Sequence, residues 1–380
     1  MTREYDVLVR AGRLICPASG VDSPATVLID AGRIVNISTS ASDEPNAKQE
    51  FDFPDGIVLP GLIDLHAHPA NAGSVFGVSP DAHMLPRGVT TVLSQGDAGA
   101  DTVDEYVETT INGSRTRILL AINLSRVGES TTQGCLENLD DADIDACVAA
   151  TQRHRKHIPA IAVNVSNHCC GSTDPREVLS RGIEVSRQTG LPLLFGMRRP
   201  EDWPLAEQLA LLRAGDIVTY CFRREPHCIV EGDCVLPCVL EARERGVLFD
   251  VGHGSASFSL NVAEAAISDG FVPDTISTDL QIRHLERQPL EHDLPLVMSK
   301  LFAAGMPEED IFAAVTSRPA GLLCQNPDYG SLAVGSVADL TVLTRSEQQT
   351  LSDAHGLTKD GPVWSAVFTM KDGQPVAPKV

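Results

Sequence analysis

Between residues 58 and 279 short apolar runs alternate with longer amphipathic segments, and this alternation restricts the fold more than any other property of the chain. Strand-length runs joined by helical crossovers pair in parallel, because parallel neighbours need a long return connection. The strands read as Val58–His66, Val89–Ser94, Ile118–Leu124, Ile161–Ser166, Leu191–Gly196, Ile217–Cys221, Val247–Val251 and Thr275–Asp279. Helical periods lie between them, as in Val178-Leu179…Ile183 and Leu205-Ala206…Leu209-Leu212. Eight such units close naturally into a (β/α)8 TIM barrel, an α/β fold that carries its active site at the C-terminal strand ends.

The two ends of the chain read differently. Tyr5–Arg10 and Ala25–Asp30 are strands, and Ala31-Gly32-Arg33 turns tightly into Ile34–Ile37. Gly335–Leu343 and Pro362–Met370 supply two more. The first 55 or so residues read as an antiparallel β unit, and the expected organisation is a small β-sandwich built from residues 1–56 and 331–380. It flanks a catalytic barrel of residues 57–330.

Composition narrows the class of protein. A hydrophobic content of 43% supports a sizeable core, and a formal net charge of −21 argues against nucleic acid or an anionic membrane as partner. The start, Met1 to Asp6, has no apolar segment of signal-peptide length, and no later run could span a bilayer. Ten scattered cysteines in a chain of this size suit reduced thiols. The expectation is a cytoplasmic enzyme, a homo-oligomer acting on a small-molecule substrate.

Within that frame His66 and His68 are the first candidate site residues. Residues two apart on a strand face the same side, so both imidazoles converge on one point at the strand end. Two neutral imidazoles on one face are the beginning of a zinc-type site. Spacing alone does not separate ligands from surface histidines. Asp279 ends the eighth strand in the same mouth, where a carboxylate could cap the next helix or act as metal ligand and general base. A divalent ion lowers the pKa of a water it binds towards neutrality, and a neighbouring carboxylate can carry the proton.

The run Pro60-Gly61-Leu62-Ile63-Asp64-Leu65-His66-Ala67-His68 resembles the first barrel strand of the amidohydrolase superfamily. "GSVADLTVL" strengthens that resemblance, and "GDIVTYCF", "RGVLFDVGHGSASFS", "GFVPDTISTD" and "MSKLFAAGMPEEDIFAAVTSRPA" are similar to its dihydroorotase-like, predicted amidohydrolase/deacetylase group. The resemblance implies a metal-dependent hydrolase. It also implies a carboxylated lysine on strand four bridging two ions, with histidines from strands five and six on the second ion. This chain departs from all three, with Ala162, Gly196 and Tyr220 at those positions. The expected cofactor is therefore zinc or a similar divalent ion, one per chain, held by His66, His68 and Asp279. A second site rebuilt from His168, Cys169 or Cys170 is the alternative, and adjacent cysteines are also ordinary small buried residues.

The expected reaction is cleavage of an amide, cyclic amide or ester bond in a small anionic metabolite. A lyase or isomerase on the same mononuclear site, and a degenerate non-catalytic barrel, are the rival readings. Arg198-Arg199 after strand five and Arg223-Arg224 after strand six are candidates to bind a substrate carboxylate, or else surface charges. His253, between glycines after strand seven, and Tyr220 are candidate pocket residues. Cys221 reads as packing, and Cys228, Cys234 and Cys238 lack the spacing of a structural zinc site.

Overall fold

The computed structural model describes residues 4–39, 45–285, 292–323 and 328–377. Seven parallel strands run in sequential order: Leu62–Ala67, Val89–Gln95, Arg117–Asn123, Ala160–Asn164, Leu193–Gly196, Ile217–Thr219 and Leu248–Phe249. The eighth position is taken by the segment after Thr275, which bridges Asp250 without forming a long regular strand. His253 N–H donates to Ser277 O (3.1 Å) and Gly254 N–H to Thr278 O (2.9 Å). On the other side Asp279 N–H donates to His66 O (2.7 Å) and His68 N–H to Leu280 O (3.0 Å). These bonds join strand eight to strand one and close the (β/α)8 barrel.

The barrel interior is packed by inward-facing Ile63, Leu65, Leu93, Ala121, Ala160, Ala162, Leu194 and Ile217. Side chains of the opposite parity, such as Ile161, Val163, Leu193 and Phe195, belong to the larger core outside the strands. Helix Pro175–Thr189 is typical of the layer there. Asp174 caps it through Arg176 N–H, Pro175 opens it, and Gly190 ends it in the left-handed region. Val178, Leu179 and Val185 form its buried stripe. Among the described residues no helix is long and apolar enough to cross a membrane.

The two chain ends form one seven-stranded sheet, whose central strand is Asn46–Pro60. Sequence reading overlooked most of this strand, because Pro54 and Gly56 look like breaks and Lys48, Glu50 and Asp52 look like a loop. Two expectations are thereby corrected. The Asn46–Pro60 strand pairs parallel with Glu4–Cys16, so the sheet is mixed rather than antiparallel. The run Val58–His66 is also not one strand: Ile57–Pro60 pairs with Leu340–Leu343, and the barrel strand starts at Leu62.

The sheet folds over a core of Val7, Val9, Val27, Ile29, Val342 and Met370. The hairpin tips at Gly32 and Gly373 meet beside Ala338, with Ala338 N–H bonded to Gly32 O (2.9 Å) and Gly373 N–H to Ala338 O (3.0 Å). Asp339 fastens this domain to the barrel. Its Oδ2 lies 2.7 Å from Arg117 Nη1 on the third barrel strand and 3.1 Å from Lys371 Nζ.

Candidate active site

The mouth of the barrel gathers its polar side chains from the ends of most of the strands. His66 and His68 leave strand one on the same side, as period-two geometry requires. Asp279 reaches them from strand eight with its backbone in the left-handed region, at φ 52°. His66 Nε2 is 3.5 Å and His68 Nε2 3.2 Å from Asp279 Oδ1. The donor atoms of all three lie within 4.8 Å of one another, and all three residues are buried. Gly254 makes room for the carboxylate, since a Cβ there would meet Asp279 Oδ2 at 2.6 Å.

The outer nitrogens of the two rings are fixed by a second layer of groups. Asp250, on the seventh strand, accepts hydroxyl hydrogens from Thr219 (2.8 Å), Thr275 (2.7 Å) and Ser277 (2.6 Å). Thr219 has one hydroxyl hydrogen and spends it on Asp250, so at 2.8 Å it accepts from His66 Nδ1. His68 Nδ1 is 3.0 Å from Asp97 Oδ1, a carboxylate that can only accept. Asp97 is itself held by Ser74 and Ser94, each at 2.6 Å. Both imidazoles therefore carry hydrogen on Nδ1 and turn Nε2 towards Asp279, the tautomer that metal-binding histidines need.

Electrostatics binds the trio further. Burial lowers the proton affinity of both rings, but Asp250 and Asp279 reverse this for His66, and Asp97 and Asp279 for His68, so both pKa values rise. Burial alone would raise Asp279, yet the two imidazoles hold it well below the usual carboxylate range. Raised imidazoles beside a lowered carboxylate mark a place that favours positive charge. Two Nε2 donors and one carboxylate oxygen, each with its supporting bonds made, fit a divalent ion of zinc type.

A cavity of about 190 Å3 opens over this trio and is walled in part by Tyr220, Arg223, Glu129 and Cys169. The Tyr220 hydroxyl lies 3.3 Å from His66 Nε2, and burial pushes its pKa well above the ordinary value. Tyr220 sits at φ 66°, a rare backbone state for an aromatic residue. Half-buried Arg223 stacks 4.2 Å above the Tyr220 ring and donates from Nε to Ser257 Oγ (2.9 Å). Gln95 Nε2 and Gln281 Oε1, a donor and an acceptor on the same wall, are buried without a partner among the described residues. An outer vestibule of about 440 Å3 continues past Arg223 and includes Arg199, Arg224 and His168.

The remaining candidates fall in different places. Cys169 lines the cavity, exposed His168 stands at its rim, and Cys170 turns away to Asn164 O (3.8 Å). Arg198 is buried against Asp202 (3.0 Å) and is not on the cavity wall. His253 lies beside the cavity, bonded through Nδ1 to Gly254 O (2.8 Å) and approached at Nε2 by Lys300 (3.0 Å). Ala162 is in the barrel interior, and a Cβ at Gly196 would meet Asn164 Oδ1 at 2.6 Å.

Sequence reading missed Asp97, Glu129, Asp250, Gln281 and Arg283 of this neighbourhood. Asp250 directly follows the apolar run Val247–Phe249, and Asp97 stands just past the end of the second barrel strand, Val89–Gln95; a carboxylate at a strand end is the signal that could have singled them out.

No family model matches the chain. It is 30% identical over 362 residues to a deacetylase of Enterococcus faecalis, covering 94% of each chain. Among solved structures it is similar to one described as an adenine deaminase, with a TM-score of 0.87, 28% identity and coverage of 98% and 99%. A structure described as a dihydroorotase matches with a TM-score of 0.86, 28% identity and the same coverage.

Proposed function

The chain belongs to the amidohydrolase superfamily and is a hydrolase, and from that premise we propose a metal-dependent enzyme that cleaves an amide or cyclic amide bond of a small anionic metabolite. The observation that carries the reading is the convergence of two tautomerically fixed Nε2 atoms on Asp279 at the barrel mouth. The named relatives, a deacetylase and a dihydroorotase, support amide and cyclic amide bonds as the bond class. His66, His68 and Asp279 would hold one divalent ion, zinc or a similar metal. When bound, such an ion polarises a carbonyl and acidifies water.

The protein's own groups then do the following. Asp279 takes the proton of the attacking water and returns it to the leaving nitrogen, since its carboxylate faces the cavity and is held by Gln281 Nε2 at 2.8 Å. Tyr220, kept protonated by burial, can donate its hydroxyl hydrogen to the oxygen that gains negative charge. Arg223 recognises a substrate carboxylate: its Nε is committed to Ser257, its ring stacking fixes its plane, and no carboxylate pairs with it among the described residues. Arg199 and Arg224 add positive charge along the vestibule. The unpaired Gln95 Nε2 and Gln281 Oε1 suit a ligand that offers both a carbonyl and an N–H.

The test combines metal content with product analysis. Protein purified without chelator should carry a divalent metal, and His66→Ala with His68→Ala should remove it from this site. Turnover of N-acyl amino acids or cyclic amides in oxygen-labelled water should place label in the carboxylate product. Turnover without label incorporation would indicate a rearrangement or elimination and discard the hydrolytic reading.

A further inference from the structure

A second group of metal-binding atoms lies on the same cavity and is not used by the mechanism above. Glu129, Cys135 and Cys169 bring a carboxylate oxygen and two sulfur atoms within 4.8 Å of one another. They are 6%, 5% and 3% exposed. Glu129 and Cys135 belong to the segment after the third barrel strand, and Cys169 to the short turn after the fourth. The two segments touch through Gly134, where a Cβ would meet His168 O at 2.4 Å and Cys169 O at 2.6 Å. Leu136 N–H donates to Cys169 O at 2.9 Å, which fixes the register of the contact. Any side chain at position 134 would force the cysteines apart.

One edge of the group has the length of a coordination shell's edge, and the other two lie within 4.8 Å. With Zn–S near 2.3 Å and Zn–O near 2.1 Å, a tetrahedral S···O edge is about 3.6 Å. The separation of Cys135 Sγ and Glu129 Oε1 is 3.7 Å. Asn123 Nδ2 points at Cys135 Sγ from 3.7 Å, the kind of N–H donor that steadies a thiolate. No arginine or lysine pairs with Glu129 among the described residues, although a buried carboxylate is costly without a compensating charge.

We propose that Glu129, Cys135 and Cys169 form a second, thiolate-rich cation site on the cavity wall, which takes zinc or another borderline-to-soft divalent metal. Two sulfurs and one oxygen fill three tetrahedral positions and leave the fourth for a cavity ligand, because Glu129 and Cys169 line the space shared with His68 and Asp279. The donor set has no member in common with His66, His68 and Asp279, so the site stands whether or not that trio holds a metal. Ligands come here from the segments after strands three and four, whereas Ala162, Gly196 and Tyr220 at strands four, five and six offer neither a carbamate nor an imidazole.

The test uses the full-length protein loaded with cobalt(II) alone, because a thiolate ligand gives an intense sulfur-to-cobalt charge-transfer band in the near ultraviolet and imidazole or carboxylate does not. The unsubstituted protein should show the band. Cys135→Ser and Cys169→Ser should each abolish it and lower tightly bound zinc from about two ions to about one per chain. His66→Ala with His68→Ala should leave the band in place. Absence of the band in the unsubstituted protein overturns the proposal without recourse to any variant. So does a band that survives both cysteine replacements. Loss of zinc from the histidine variant with the band retained separates failure of one site from failure of the other.

Discussion

Asp339 and Glu129 are both buried carboxylates, one beneath the barrel and one at its mouth, and their surroundings are opposite. Asp339, 1% exposed, meets Arg117 at 2.7 Å, Lys371 at 3.1 Å and the Asp372 N–H at 2.8 Å. Every oxygen is answered by this chain. Glu129, 6% exposed, meets a thiol and no lysine or arginine among the described residues, and burial raises its pKa to about 7 against the opposing pull of nearby His68. A charge compensated internally serves architecture. One left to be compensated marks a place where the molecule is completed by something else.

The largest effect should come from breaking the compensated side of this comparison. Asp339→Ala leaves buried Lys371 with exposed Asp372 (2.7 Å) as its remaining carboxylate and should cost about 3 kcal/mol of stability in urea denaturation. Turnover per folded molecule should change little. A loss below about 1 kcal/mol would make Asp339 an ordinary surface-like pair and remove the contrast.

At the mouth the corresponding change should act on rate. Asp279→Asn keeps the size and tolerates the left-handed backbone that Asp279 adopts, but removes the base. Turnover per folded molecule should fall at least ~10²-fold, near 2.7 kcal/mol of barrier. Near-normal turnover would reduce Asp279 to a structural role.

The two ends of the barrel were also unequally legible. Strand order, the paired histidines and the terminal carboxylate could be read because each is a local pattern: an apolar run, a spacing of two, a charge at a strand end. The partners that give those residues their chemistry could not. Thr219 and Asp250 set the tautomer of His66 from across the barrel, and no spacing in the chain announces a contact between residues 66 and 219. Arg198 and Arg223 looked equivalent, but only Arg223 faces the cavity, while Arg198 is turned to Asp202. Asn46–Pro60 escaped because a mixed sheet tolerates a proline and a bulge that local propensity reads as breaks.

Supporting residues at the mouth should give intermediate effects. Asp97→Asn removes the acceptor that holds His68 Nδ1–H and should weaken metal affinity ~10–100-fold in a chelator competition. An unchanged affinity would detach Asp97 from the site. The smallest effect should be selective. Arg223→Met should raise KM for an anionic substrate by about tenfold or more, in line with a lost charge-assisted hydrogen bond, and hardly affect its neutral ester. Equal losses for both would assign Arg223 to packing on Tyr220.

The central strand of the terminal sheet has a consequence for how the chain is made. Ile57 pairs with Leu343, a partner 286 positions later. At ~5–20 residues per second of synthesis, that partner emerges roughly 15–60 s after the strand itself. Throughout this interval the early hairpins present an unfinished edge, a ready template for pairing with other nascent copies. The charged run of Lys48, Glu50 and Asp52, placed on that same strand, is well suited to discourage such encounters until the last fifty residues arrive.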